Sequence, residues 1–275
     1  MNRLGLIKTA YTALAALMLA ACANDELTDG PVQDLPEGAY PLQIAGVSLT
    51  AESTAEPWDA NAPQTRVSEN TNDNSSQWDG GEEITVQLSG TKADGTSYTA
   101  EGKYTLGSDK TSLIPVRDRE LYWHSTSAGT ITAWYFNYVS GNTVSLSEQN
   151  HGLAYVLKAE KSNVTYNTKA TLPFSHKLAK VRVMLAGDKK DDVTEVKIKT
   201  LTSCTLGADG TLTDGSTENF IPTNVTTYKN ERCWEANVVP GHVITNVMVN
   251  GTECVLTKPL TPLVACVNTI TLTVN

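Results

Sequence analysis

From Ile84 onward the chain alternates apolar and polar residues with a period of two: Ile84, Val86 and Leu88 fall on one side, Thr85 and Gln87 on the other. That is the period of a strand with one buried face. Ser97 to Leu106, Leu113 to Val116, Glu120 to His124, Thr130 to Val139 and Leu153 to Leu157 continue it. Gly95, Gly107, Gly129, Gly141-Asn142 and Asn150 separate these runs, as turn residues do. A polar stretch from Ala159 to Lys169 then interrupts the pattern, and a domain boundary is expected there. Beyond it Ala179, Val181, Val183 and Leu185 alternate with Lys180, Arg182 and Met184, which predicts a half-buried strand. Val193 to Leu201, Cys233 to Val239 and Cys266 to Val274 are further strands, the last with Cys266, Ile270, Leu272 and Val274 on one side. Asn250-Gly251 predicts a two-residue hairpin turn, because both positions suit positive φ; Val249 then faces Thr252 and Val247 faces Cys254.

Upstream, Pro41 to Thr50 reads as a strand with Leu42 and Ile44 on one face, then Val47 and Leu49 after a one-residue slip near Gly46. A β-bulge there restores the phase. Residues 51 to 80 form a long polar connection, of the kind that has a job or is disordered. No helix longer than a turn or two is expected in the mature chain, and Thr, Val, Gly, Asn, Ser and Tyr dominate, so the fold class is all-β.

The first 22 residues have a different character. Arg3 and Lys8 give a basic start, and the apolar stretch from Leu4 to Leu19 is too short to span a bilayer. Leu19-Ala20-Ala21 before Cys22 resembles the lipobox of bacterial lipoproteins, in which the cysteine is acylated and becomes the new N-terminus. Two or three acyl chains make a stable anchor. Asn24, Asp25 and Glu26 resemble the acidic signal that sends Bacteroidetes lipoproteins to the outer face of the outer membrane, and equally suit an ordinary linker. The expected organisation is a signal peptide over 1–21, a tether over 22–39 rich in Gly, Pro and acidic residues, and two domains over 40–165 and 166–275.

The 275 residues carry a formal charge of −9, which grows more negative once Arg3 and Lys8 are removed. That argues against nucleic acid and against attraction to anionic lipid. Apart from Cys22, the cysteines are Cys204, Cys233, Cys254 and Cys266. An even number in an oxidising compartment suggests two disulfides of open connectivity, with buried unpaired thiols as the other reading. Neither their spacing nor the four scattered histidines, His124, His151, His176 and His242, suits a metal site. No hydrolase, P-loop or dinucleotide motif occurs, so no catalytic residue, metal or cofactor is expected. Ser175 and His176 are neighbours on a strand and point to opposite faces, so they form no nucleophile and base pair. Asn70 to Asn74 resemble a calcium loop but lack its glycine and its final carboxylate. Tyr122, Trp123, Trp134, Tyr135, Phe136 and Tyr138 offer a sugar-stacking platform only if they share a face, and alternation divides them between core and surface.

Several blocks taken in order resemble the fimbrillin family, the subunits and anchors of type V pili in Bacteroidetes. They are the lipobox with its acidic tail, Thr65-Arg66, Trp78-Asp79-Gly80-Gly81-Glu82-Glu83-Ile84, Leu121-Tyr122-Trp123, Phe174-Ser175-His176-Lys177-Leu178-Ala179-Lys180-Val181, Val239-Pro240-Gly241 and the final strand. The resemblance implies two β-sandwich domains of transthyretin-like topology in tandem. It also implies assembly by donor-strand exchange with other fimbrillin subunits: a trypsin-like protease cuts after an arginine, the first strand leaves, and a strand of another subunit enters the groove. Arg66 is the residue matching that arginine, and Val267 to Val274 is the donor. The four C-terminal cysteines depart from the family pattern; a disulfide at Cys266 would pin the base of the donor. The competing reading is a surface lipoprotein that binds glycans.

Overall fold

A computed structural model describes residues 31–50, 68–69, 76–207, 211–215 and 217–275. The expected signal peptide, Cys22, Arg66 and the calcium-like run at Asn70 to Asn74 lie outside these residues. Among the described residues the chain is all-β, and its helical turns are the three-residue Gln149–His151 and Lys190–Asp192.

Seven strands form one sheet in the order Ile44–Thr50, Ala170–His176, Val156–Val164, Gly129–Phe136, Glu83–Thr91, Ser97–Leu106 and Leu113–Pro115. The sheet curls until its two edges approach, and the Val47 N–H donates to the Thr111 carbonyl at 2.9 Å. Inside lie Trp78, Ile84, Leu88, Trp123, Ile131, Leu157, Leu172 and Phe174. Trp78 meets Tyr135 and Phe174 edge-on, with centroids 5.5 and 5.2 Å apart, as ring quadrupoles favour. The turn that delivers Trp78 is held by Glu82, whose buried carboxylate accepts the N–H groups of Asp79 and Gly80, both at 3.0 Å. Gly80 and Gly81 have φ of 92° and 90° there, a backbone that side chains disfavour.

Two four-stranded sheets make the second half: Asn224–Tyr228, Glu231–Val238, Ala179–Ala186 and Val267–Thr273 in one, Glu218–Pro222, Val196–Leu201, Ile244–Val249 and Thr252–Leu260 in the other. Val181, Val183, Trp234, Ala236 and Ile270 from the first share a core with Val196, Ile198, Ile221 and Val247 from the second. A further four-stranded sheet joins Val139–Ser140 and Thr143–Ser145 to Ser203–Leu206 and Leu212–Asp214, and carries Val144 and Leu146 into this second core.

The hairpin register is as expected, Val249 opposite Thr252 and Val247 opposite Cys254, with φ of 46° at Asn250 and 79° at Gly251. The bulge near Gly46 is also present: Ile44 pairs with Ala170 and Gly46 with Thr171, leaving Ala45 as the extra residue. Three expectations change. The polar stretch after Leu157 does not end the strand, because Ala159, Glu160 and Lys161 pair with Ala133, Thr132 and Ile131; Ala159 faces the first core, and the residues from Glu160 to Asn163 are exposed. Ala170–His176, expected beyond the domain boundary, is bonded into the seven-stranded sheet, while Val144, Leu146, Ala154 and Val156, expected before it, lie in the second core, so no single point of the chain divides the two cores. Thr130 to Val139 breaks at Tyr138, which takes φ of 51° without a glycine or asparagine to announce it.

The two expected disulfides are not formed; all four cysteines are thiols, three of them buried and Cys254 half-buried. Cys233 faces Met184, and Cys266 precedes Val267, which faces Lys180. They therefore stand about five residues apart along the strands, ~16 Å at 3.3 Å per residue, beyond the reach of a disulfide. Burial pushes the Cys204 and Cys233 thiols up to about 11, helped by Asp214 and Glu235 respectively.

Candidate functional site

Of the segments that the sequence singles out for assembly, the described residues include the first strand and the last, in separate sheets. The entering segment is bonded along its length. Gln33 and Thr126 exchange backbone and hydroxyl bonds, the Leu35 N–H donates to the His124 carbonyl at 2.9 Å, and Leu42 and Tyr40 pair with Leu121 and Trp123 at 2.7 and 2.9 Å. The part of the expected tether from Gln33 onward is thus docked on Leu121 to Thr126. The Glu120 to His124 run, expected as a strand, makes only an isolated bridge there, between Pro41 and Tyr122.

Ile44–Thr50 then runs parallel to Ala170–His176, ending with Leu49 opposite Phe174 and Thr50 opposite Ser175. It is the seam of the curled sheet, bonded to Ala170–His176 on one side and to Thr111 on the other. Leu42, Val47 and Leu49 are buried and Ile44 is half-buried. Within the strand the two buried aliphatic side chains, Val47 and Leu49, at roughly 1.5–3 kcal/mol each give an upper bound of about 3–6 kcal/mol for its docking. Take the strand away and Ala170 to Pro173 lose the ladder it supplies, and Ala170–His176 becomes an edge strand, paired on its other side through His176 with Leu157 and Ser175 with Lys158.

The last strand, Val267–Thr273, lies parallel to Ala179–Ala186 in seven consecutive pairs, from Lys180 with Val267 to Ala186 with Thr273. It is an edge strand. Its inward residues Ile270 and Leu272, with Val274 beyond, pack on the second core. The Asn268 amide clamps its base, donating to the Lys180 and Cys266 carbonyls at 3.1 and 3.2 Å. Gly187 closes over its tip: the Val274 N–H donates to Ala186 at 2.8 Å, the Lys189 N–H to Val274 at 3.1 Å, and a Cβ on Gly187 would fall 2.4 Å from the Val274 carbonyl oxygen.

Lys180 and Arg182, expected on an outward face, are buried with Glu235. Arg182 Nε donates to Glu235 Oε1 at 2.6 Å, Lys180 Nζ lies 3.6 Å from Oε2, and the Tyr228 ring covers the Arg182 guanidinium at 3.6 Å. The sequence shows the alternation but not the carboxylate opposite Arg182, which the register supplies. Gln149 joins the two halves: its amide bonds the Asn237 N–H and carbonyl at 2.9 and 2.8 Å and the Ala154 N–H at 2.9 Å.

His176 is buried beside Tyr155, as a packing residue. Burial, and secondarily Lys180, hold its pKa well below the ordinary histidine value. It is neutral when folded, and the unfolded chain binds its proton first as pH falls. Stability is therefore full above the ordinary value of 6.5 and declines below it, by at most about 1.4 kcal/mol per pH unit until the folded pKa is reached. Melting curves between pH 5 and 7 check this: His176→Phe is expected to flatten the acid limb, and an unchanged limb would acquit this residue.

The aromatic residues do not form a common platform. Trp123 is in the first core, Tyr135 packs on Trp78, and Trp134 is 5% exposed. Arg117 and Arg119 are exposed in the turn after Leu113–Pro115 and offer a protease sites of the same chemistry as Arg66.

No curated protein matches the chain. Among solved structures it is similar to a candidate cell adhesion protein from Bacteroides ovatus, at 12% identity and a TM-score of 0.58 over 85% of this chain and 91% of that one. It is also similar to a candidate cell adhesion protein from Bacteroides uniformis, at 19% identity and a TM-score of 0.48 over 83% and 93%. A third is the fimbrial anchor protein Mfa2 of Porphyromonas gingivalis, at 13% identity and a TM-score of 0.34 over 78% and 81%. The model of fimbrillin-like proteins matches residues 65–271, from the Thr65-Arg66 pair into the last strand, and the chain belongs to that family.

Proposed function

We propose that this chain is a structural, adhesive subunit of a cell-surface pilus, without catalysis of its own, exported as an outer-membrane lipoprotein through residues 1–21 and Cys22. A trypsin-like protease cuts after Arg66, Ile44–Thr50 leaves the seam, and the strand 267–274 of another copy takes its place. The two cores act as tandem sandwich domains. The observation that carries this reading is the seam strand: it lies upstream of Arg66, supplies the buried side chains of Val47 and Leu49, and leaves Ala170–His176 as an open edge when it goes. An open edge with an apolar groove is completed by β-augmentation, which restores ladder and packing together. Family membership supports a structural rather than an enzymatic role.

Cleavage alone does not expel the strand, which stays held by its ladder until a second copy competes for the groove. Treating the chain with an arginine-specific protease, in an Arg117→Gln, Arg119→Gln background, is expected to release the segment ending at Arg66 and to yield oligomers that grow with concentration. Mass spectrometry and size-exclusion chromatography read both. A chain cut after Arg66 that keeps its segment and stays monomeric at high concentration would rule out strand exchange.

A further inference from the structure

The two terminal strands are not independent, because one short stretch of backbone holds both. The first strand's final pair is Thr50 with Ser175. Three residues on, the Leu178 carbonyl accepts the Ala265 N–H at 3.1 Å, and the Lys180 N–H donates to the Cys266 carbonyl at 2.9 Å. The base of the last strand thus hangs from the residues that directly continue the first strand's partner. Between them Leu178 is buried in the second core, and the Lys177 N–H donates to the Val156 carbonyl at 2.8 Å.

We infer that departure of the first strand loosens the base of the last one through Lys177-Leu178, so that the groove opens before the donor is freed. Without the first strand, Ala170 to Pro173 lose the ladder it supplies, and the Leu178 carbonyl is positioned from one side alone, through Ser175, His176 and Lys177 on Val156 to Lys158. The rest of Ala179–Ala186 stays in place, since the Arg182–Glu235 contact and six ladder pairs tie it to Glu231–Val238. Loosening is therefore confined to Leu263 through Asn268, the part held by Leu178, Lys180 and the Asn268 amide. Such an order keeps an uncut subunit from donating its strand prematurely. The assembly role of this coupling rests on the strand-exchange reading above; the coupling itself is measurable without assembly.

Hydrogen exchange on the full, uncut chain provides the test. Val47→Ala with Leu49→Ala weakens the docking of the first strand and leaves every contact of the last strand intact. Exchange at 170–174 and at 265–268 is expected to rise together, by roughly 10-fold, a typical coupling between sites, with 231–238 unchanged. Because equilibrium coupling is reciprocal, Asn268→Ala should raise exchange at 170–174 as well as at 265–268. A rise at 170–174 with 265–268 unmoved overturns the inference, and so does an equal rise across all three segments, which is general loosening. An Asn268→Ala effect confined to 265–268 overturns it too. Oligomers formed after cleavage at Arg66 by a protein that fails these measurements would leave strand exchange standing and remove only the coupling.

Discussion

Replacing Glu235 with alanine is expected to cost roughly 3–5 kcal/mol of folding stability, the range for breaking a buried ion pair from one side. Lys180 and Arg182 have side chains 0% and 3% exposed, and both face this one carboxylate, Arg182 at 2.6 Å and Lys180 at 3.6 Å. Without it, two like charges remain together in a low dielectric, where their repulsion is no longer offset and water is excluded. Tyr228 still covers Arg182 through its ring face, but cation–π attraction is worth about 2 kcal/mol at best and does nothing for Lys180. Against a total of about 5–15 kcal/mol for a folded domain, the loss should lower the Tm on the order of 10 °C. Glu235→Gln keeps an acceptor near Arg182 and removes only the charge, so it should fall between wild type and Glu235→Ala. Urea unfolding of the three proteins measures the ordering. A Glu235→Ala protein within about 1 kcal/mol of wild type would show that the ionic cluster is not closed in solution, since truncation of a satisfied buried charge pair does not come that cheaply.

That cluster also marks where the sequence stops being readable. Alternation placed Lys180 and Arg182 correctly on one face and Val181 and Val183 on the other, because a period of two is a property of consecutive residues. Whether the polar face meets water or another part of the chain depends on residues far away: Glu235 opposite Arg182, Tyr228 above it, and Gln149 reaching across to Asn237. The Asn250-Gly251 hairpin and the bulge beside Gly46 were legible for the same reason, being local backbone demands written in local residues. Ala159 to Lys161 misled for the opposite one. Beyond the buried Ala159 the residues from Glu160 to Asn163 are all exposed, so no alternation marks a strand, and only the distant partners Ile131 to Ala133 make it one. Local pattern likewise gave no sign that the first and last strands would each run parallel to one of two consecutive strands, Ala170–His176 and Ala179–Ala186. Parallel pairing joins segments far apart in the chain, and no turn residue records it.

Leu49→Asp in the uncut chain should undo the seam without unfolding the molecule. Leu49 is 6% exposed and stands opposite Phe174, which is fully buried. An unpaired carboxylate at that depth costs several kcal/mol or takes up a proton. The docked strand's gross hydrophobic gain of about 3–6 kcal/mol is already reduced by about 1–2 kcal/mol for each residue ordered, so it has little margin to absorb the charge. Undocking is the cheaper response, and it is local: Leu35 and Tyr40 remain bonded to His124 and Trp123, upstream of the substitution. The second core contains no residue from the strand. The expected outcome is retained β circular dichroism, lost exchange protection at 170–174, and self-association without any protease, because the groove is open while the chain is whole. Ser48→Asp tests whether charge alone matters, since Ser48 is the outward neighbour on the same strand; it should leave the protein monomeric and protected. If Leu49→Asp exposes 170–174 yet the chain remains monomeric at high concentration, the groove has no affinity for a second copy's strand. Global unfolding would instead mean that the first strand is integral to the fold and cannot be exchanged at all.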